Sequence, residues 1–105
     1  MTAPLLTAEA TVQTPNASKI LKWLCGHFKI KVPAEYDAQK GHVDFPFGVC
    51  EMTASDAVLY IHVAAPNAEA FALIKEVVGE HLEKFGNKES LRADWEDKTV
   101  TAGGM

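Results

Sequence analysis

Thr14-Pro15-Asn16-Ala17-Ser18 and Ala65-Pro66-Asn67-Ala68-Glu69 are two versions of one phrase, each set between a segment of period two and a segment of helical period. Proline lacks an amide N–H and fixes φ, so it stops a strand, while asparagine is a favoured cap for the orphan N–H groups that open a helix. Two strand-to-helix corners are therefore expected. Upstream of the first, Ala8, Ala10 and Val12 alternate with Thr7, Glu9, Thr11 and Gln13, the pattern of a half-buried strand. Downstream, Ile20, Leu21, Leu24 and Phe28 form one apolar stripe; after the second corner Phe71, Ile74, Val78, Leu82 and Phe85 form another. Gly86 stands where a left-handed cap would end the second helix.

Between the corners the period is two. Glu35 to Asp37 is a short candidate strand, closed by the turn Ala38-Gln39-Lys40-Gly41. Val43, Phe45 and Phe47 form the apolar set of the next strand, and Cys50, Met52 and Ala54 that of a further one after Gly48. Pro46 cannot donate to a ladder and is expected at an edge or bulge. Ser55-Asp56 turns into Val58-Leu59-Tyr60-Ile61-His62-Val63, the run richest in β-formers. Leu91, Ala93 and Trp95 alternate with Arg92, Asp94 and Glu96 as a last strand.

Hairpin-linked strands pair antiparallel, and two amphipathic helices suffice to cover one face of a sheet. The expected fold is an α+β two-layer sandwich, a sheet of 4–5 antiparallel strands under two helices, in the order β-α-β-β-β-α-β. Residues 7–96 form its single domain, with an N-terminal tail at 1–6 and a flexible C-terminal tail at 97–105. The composition agrees: of 105 residues 48% are apolar and 23% charged, enough for one modest core. No apolar run reaches the ~20 residues that span a bilayer, and Met1-Thr2-Ala3-Pro4-Leu5-Leu6 lacks the basic start of an export signal. A cytoplasmic location is expected, where two isolated cysteines stay reduced and Asn16-Ala17-Ser18 meets no glycosylation machinery.

A net charge of −4 argues against a nucleic-acid binder. The exception is local, since Lys19, Lys22, Lys29, Lys31 and Lys40 are five of the ten basic residues. Lys19, Lys22 and Lys29 share a helix face and, with Tyr60, are candidate partner-binding residues.

Cys25, His27, His42 and Cys50 have the residue types of a metal or redox site, but their spacing works against one. Cys25 and His27 lie two apart on a helix, about 200° around the axis, and cannot share an ion. Cys25 flanks the buried stripe, His27 follows Trp23 by one turn and should pack on its ring, and Cys50 points inward with Met52. His81 falls on the apolar side of the second helix as a boundary residue. The paired-ligand spacing of structural zinc, Cys-x-x-Cys, glycine-rich nucleotide loops and the Gly-x-Ser-x-Gly elbow are all missing. The open sheet face is the better candidate. It should carry Glu9, Thr11, His42, Asp44, Glu51, Tyr60, His62, Arg92 and Asp94, and imidazoles among carboxylates can bind a metal, exchange protons or dock a partner.

Many spaced positions carry a resemblance: Val12-x-Thr14-Pro15-x-Ala17-Ser18, Leu21-Lys22-x-Leu24-Cys25-x-His27, Lys31-Val32-Pro33, Gly41, Phe45-Pro46-Phe47-Gly48-x-Cys50, Ala65-Pro66 and His81-Leu82-x-x-Phe85. Over residues 7 to 96 the chain resembles the bacterial domain of unknown function family 2218. That family's small domain is also found attached to siderophore-interacting flavoprotein reductases, so the resemblance implies a link to iron acquisition and supplies no catalytic residues. The expectation is a non-catalytic accessory or binding domain whose partner is such a reductase or a second copy of itself. The alternative is a metal or haem binder, or a small enzyme, built on His42 and His62 with Asp44.

Overall fold

The computed structural model describes residues 6–85, 91 and 93–97. Its elements run β1 (Leu6–Gln13), α1 (Ala17–Lys29), β2 (Ala34–Tyr36), β3 (Lys40–Phe45), β4 (Gly48–Ala54), β5 (Val58–Ala65), α2 (Ala68–Phe85) and β6 (Glu96–Asp97). The strands form one antiparallel sheet in the order β2-β3-β4-β5-β1-β6. Both helices pack on one face of it, giving the expected α+β two-layer sandwich. The sheet has six strands rather than 4–5, in the order β-α-β-β-β-β-α-β, because Ala34–Tyr36 is a full member of it.

The two corners differ in detail. Asn67 Oδ1 accepts from the Ala70 amide at 2.8 Å, which caps α2 as its sequence implies. Asn16 sits at the N-cap of α1 with φ −108° and ψ 29° and its side chain makes no capping bond. There the corner is held instead by Thr14, whose Oγ1 accepts from the Asn16 amide at 3.0 Å and whose own amide reaches Ala57 O at 2.9 Å. Thr14 is accordingly buried.

Three strand limits also differ. Phe45 pairs with Gly48, so Pro46 and Phe47 are the two residues of a tight turn rather than part of an edge or bulge. A missing N–H costs nothing at a hairpin tip. The last strand is only Glu96–Asp97, and Leu91, Ala93 and Trp95 pack partly buried against the core without strand pairing. The sheet extends one residue into each expected tail, with Leu6 opposite Ala65 and Asp97 opposite Ala8. Gly86 and the remaining tail residues, 1–5 and 98–105, lie outside the described residues.

The core lies between sheet and helices. Ala17, Ile20, Leu21, Leu24, Cys25 and Phe28 of α1, and Phe71, Ile74, Val78, Gly79 and Leu82 of α2, are buried over the inner residues of β1, β3, β4 and β5. Burying each large aliphatic side chain stabilises the fold by about 1.5–3 kcal/mol.

Helix α1 packs directly on the backbone of the sheet at Gly41. A Cβ added there would lie 2.5 Å from Cys25 Sγ and 3.4 Å from Leu21 Cδ2, two side chains with no solvent exposure. Cys25 therefore fills the hollow that glycine leaves. Gly41→Ala is expected to cost about 1–3 kcal/mol in denaturant unfolding, by overpacking. Adding Cys25→Ala to that variant should recover part of the loss, with a coupling of roughly 0.5–3 kcal/mol; simple additivity would show that the sulfur is not what the new methyl meets.

Candidate functional site: the open sheet face

On the face away from the helices, the pairing brings one residue from every strand to the same level. Glu35 lies opposite His42, His42 opposite Glu51, Glu51 opposite His62, His62 opposite Glu9, and Glu9 opposite Glu96. The row therefore crosses the whole sheet and alternates carboxylate with imidazole over its first five members. Neighbours across an antiparallel pair stand ~4.5–5.5 Å apart at Cβ, so each imidazole has carboxylates on both sides. Two residues further along β3, Asp44 adds another.

His42 is the best-defined member. Its Nε2 lies 2.9 Å from Asp44 Oδ1 and its Nδ1 3.2 Å from Glu51 Oε2. Carboxylates only accept, so both bonds together require both ring nitrogens to carry hydrogen, and the ring is an imidazolium. The Asp44 hydrogen bond chiefly raises the His42 pKa above the ordinary value; lost hydration opposes it, and Glu51 adds to the rise. The side chains are 43%, 54% and 59% exposed, so water screens the cluster and its net stabilisation is below about 1 kcal/mol.

His62 stands on β5, two strands from His42, with Glu51 of the intervening β4 between them. Two strand spacings separate the backbones by about 9–10 Å. The structure thus brings His42 and Asp44 together but not His42 and His62. Among the described residues no group of three or more His, Cys, Asp or Glu is placed to hold a metal ion. Tyr60, one pleat along from His62, bonds to Glu9, and burial first and that carboxylate second push its hydroxyl up to about 12. It serves the face as a neutral donor. Asp94 is exposed, and Arg92 lies outside the described residues.

The basic residues of α1 lie on the other layer. Lys19 Nζ is 5.1 Å from the centroid of Trp23 and Lys29 Nζ 5.9 Å from that of Tyr36. Lys22 lines a shallow cleft with Pro15, Ser18, Lys19 and Asp56. Trp23 is 44% exposed and Ile30 77%, so this face of α1 mixes cations with apolar surface. Lys40, at the start of β3, borders the His42 end of the open face, in a groove with Glu35, His42, Glu51 and Thr53.

The cysteines are core residues. Burial pushes the Cys25 thiol up to about 11 and Cys50 further in the same direction, which keeps both protonated and unreactive. The position of His27 is a correction. Its ring meets His81 across the two helices at a centroid distance of 4.8 Å, and Phe85 at 5.6 Å, while Trp23 packs on Phe85 at 6.2 Å. In the sequence His27 and His81 stand 54 positions apart. The only sign of their meeting was that each flanks an apolar stripe.

The clamp on His42 has a pH signature. A raised folded-state pKa contributes stability that is complete below the unfolded value near 6.5 and is lost as pH rises through the folded value. Asp44→Asn is therefore expected to lower stability by less than about 1 kcal/mol near pH 5.5 and to change little near pH 9. In an NMR titration it should move the His42 midpoint down; an unchanged midpoint would show that the Asp44 bond does not form in solution.

The comparisons agree with this architecture. The NMR structure of PA4090 from Pseudomonas aeruginosa superposes with a TM-score of 0.75 at 26% sequence identity, covering 91% of this chain and 99% of that one. No match is found among curated proteins. The model of one bacterial family, described as "Uncharacterized protein conserved in bacteria", matches residues 9–96, and the chain belongs to that family, DUF2218.

Proposed function

We propose that the chain is a non-catalytic binding domain that docks on a partner protein through its open sheet face. The observation that carries this reading is the row Glu35, His42, Glu51, His62, Glu9 and Glu96, which spans all six strands at one level. An antiparallel sheet leaves one face to water without needing any order in the charges on it. Here carboxylates dominate that face, and its best-ordered cation, His42, is already neutralised by two of them. Such a surface suits a basic partner, and its contribution is steering and register more than raw affinity.

The resemblance that links this family's domain to siderophore-interacting flavoprotein reductases supplies the partner: a reductase of that class, in the cytoplasm. The basic, aromatic face of α1, with Lys19, Lys22, Lys29 and Trp23, lies on the opposite layer and is available to a different, acidic surface. No nucleophile or acid-base pair in an enclosed cleft accompanies either surface among the described residues, which is why the reading is of binding rather than catalysis.

The test is direct titration of the purified protein into a purified siderophore-interacting flavoprotein reductase. Saturable binding is expected, weakened about tenfold or more by the Glu9→Gln, Glu51→Gln double substitution and by added salt. Absence of binding at ~100 μM of either protein, a weak limit for any specific complex, would remove the reductase as partner. Sedimentation of the protein alone decides the other candidate partner, a second copy: a dimer that dissociates in the same double variant would make the face a self-association surface.

A further inference from the structure

We propose that His27 and His81 form a two-imidazole site for a divalent transition-metal ion of the zinc or copper class, at the seam between α1 and α2. This site lies on the helical layer, opposite the docking face, and does not depend on the reading given to that face.

The distance between the rings suits one shared ion. Two imidazole nitrogens bound tetrahedrally at ~2.0–2.1 Å stand about 3.4 Å apart, which puts the ring centroids near ~5 Å. The observed separation is 4.8 Å with the planes inclined at 44°. Axial ligation of a haem needs imidazoles on opposite sides of the iron and a wider separation, so the pair suits a bare ion.

The protonation state of His81 also fits. His81 Nδ1 lies 2.7 Å from Val77 O, and a carbonyl only accepts, so Nδ1 carries the hydrogen. In the neutral ring the lone pair is then on Nε2. A ligating histidine is usually held in this way, its other ring N–H donated to a carbonyl or carboxylate that fixes tautomer and orientation. His27 is exposed and His81 part-buried, so an ion can enter from solvent.

The surroundings favour a cation that is softer than calcium or magnesium. Phe28 and Phe85 wall the pair at centroid distances of 4.8 Å to His81 and 5.6 Å to His27, and imidazole nitrogen selects zinc and copper over the alkaline earths. His27 lies in the last turn of α1, where the aligned peptide dipoles give the helix end a partial negative charge. Lys84 and Lys31 oppose the ion, and water fills its remaining positions. That combination implies an exchangeable ion rather than a structural one.

Calorimetric titration of zinc chloride, and separately copper(II), into the full chain tests this. One ion per chain should bind with a Kd below ~1 mM, and His27→Gln and His81→Gln should each weaken it about tenfold or more. His42→Gln should leave it unchanged. Nitrogen-15 spectra should place the zinc-dependent shift on the imidazoles of His27 and His81, a readout that a packing role would not move. Lys84→Gln separates a cation from an anion site, because it should tighten zinc binding; weaker binding would overturn the proposal. It is equally overturned if no ion binds, or if binding follows His42 and His62 while the His27 and His81 variants retain it. Circular dichroism melting of each variant shows whether it is folded, and the exposed His27 carries the test if His81→Gln is not.

Discussion

The contact between Cys25 and the bare backbone of Gly41 is the point from which the rest of the arrangement follows. With no Cβ at position 41, α1 can lay a buried sulfur directly on β3 and bring Leu21 down beside it. That fixes Gly41 as an inward position, opposite Met52 on β4 and Tyr36 on β2. Because side chains alternate strictly along a strand, His42 must then point outward, and a slip of one residue would reverse every side chain of β3. The helix layer therefore determines what the opposite face displays.

What it displays is set by register rather than by local sequence. Glu35, His42, Glu51, His62, Glu9 and Glu96 come from six strands, and each contributes one residue to the row. The same alternation keeps the basic side chains of α1 on the far layer, over Trp23 and Tyr36. The open face is thus rich in carboxylates and α1 in lysines, while α2 carries Glu69, Glu76, Glu80 and Glu83 beside Lys75 and Lys84. A net charge of −4 averages two surfaces that would meet different partners.

The layers were legible in the sequence because periodicity reports burial directly: the apolar stripes of both helices and the inward sets of β1, β4 and β5 lie where alternation puts them. Pairing was less legible. Leu91, Ala93 and Trp95 do alternate toward the core, yet only Glu96 and Asp97 find a partner in β1, because period two measures which side is covered and not whether a neighbour exists. Pro46 read as a break within a strand, since nothing local distinguishes a bulge from a two-residue turn. At Asn16 the residue type fits a cap, but its side chain makes no capping bond to the helix amides, and Thr14 holds the corner. The candidate site was half visible: its members follow from alternation, while the row needed strand order, and the meeting of His27 with His81 needed helix-on-helix packing across 54 positions of sequence.

The two histidine environments show how the fold divides one side-chain chemistry between its layers. What decides each case is the group bonded to the ring nitrogens. On the sheet, a Glu51 carboxylate faces Nδ1 while Asp44 faces Nε2, so both nitrogens are donors and the ring has no lone pair to offer. It acts there as a positive charge within an acidic surface. On the helices, a backbone carbonyl faces Nδ1 of His81, leaving Nε2 as the acceptor of the neutral ring. A carboxylate adds a negative charge that stabilises imidazolium, whereas a carbonyl selects a tautomer of the neutral ring. Residue type alone groups His27 with His42 as possible ligands; two carboxylates occupy both nitrogens of His42, whereas His27 stands against His81, whose Nε2 is left as an acceptor.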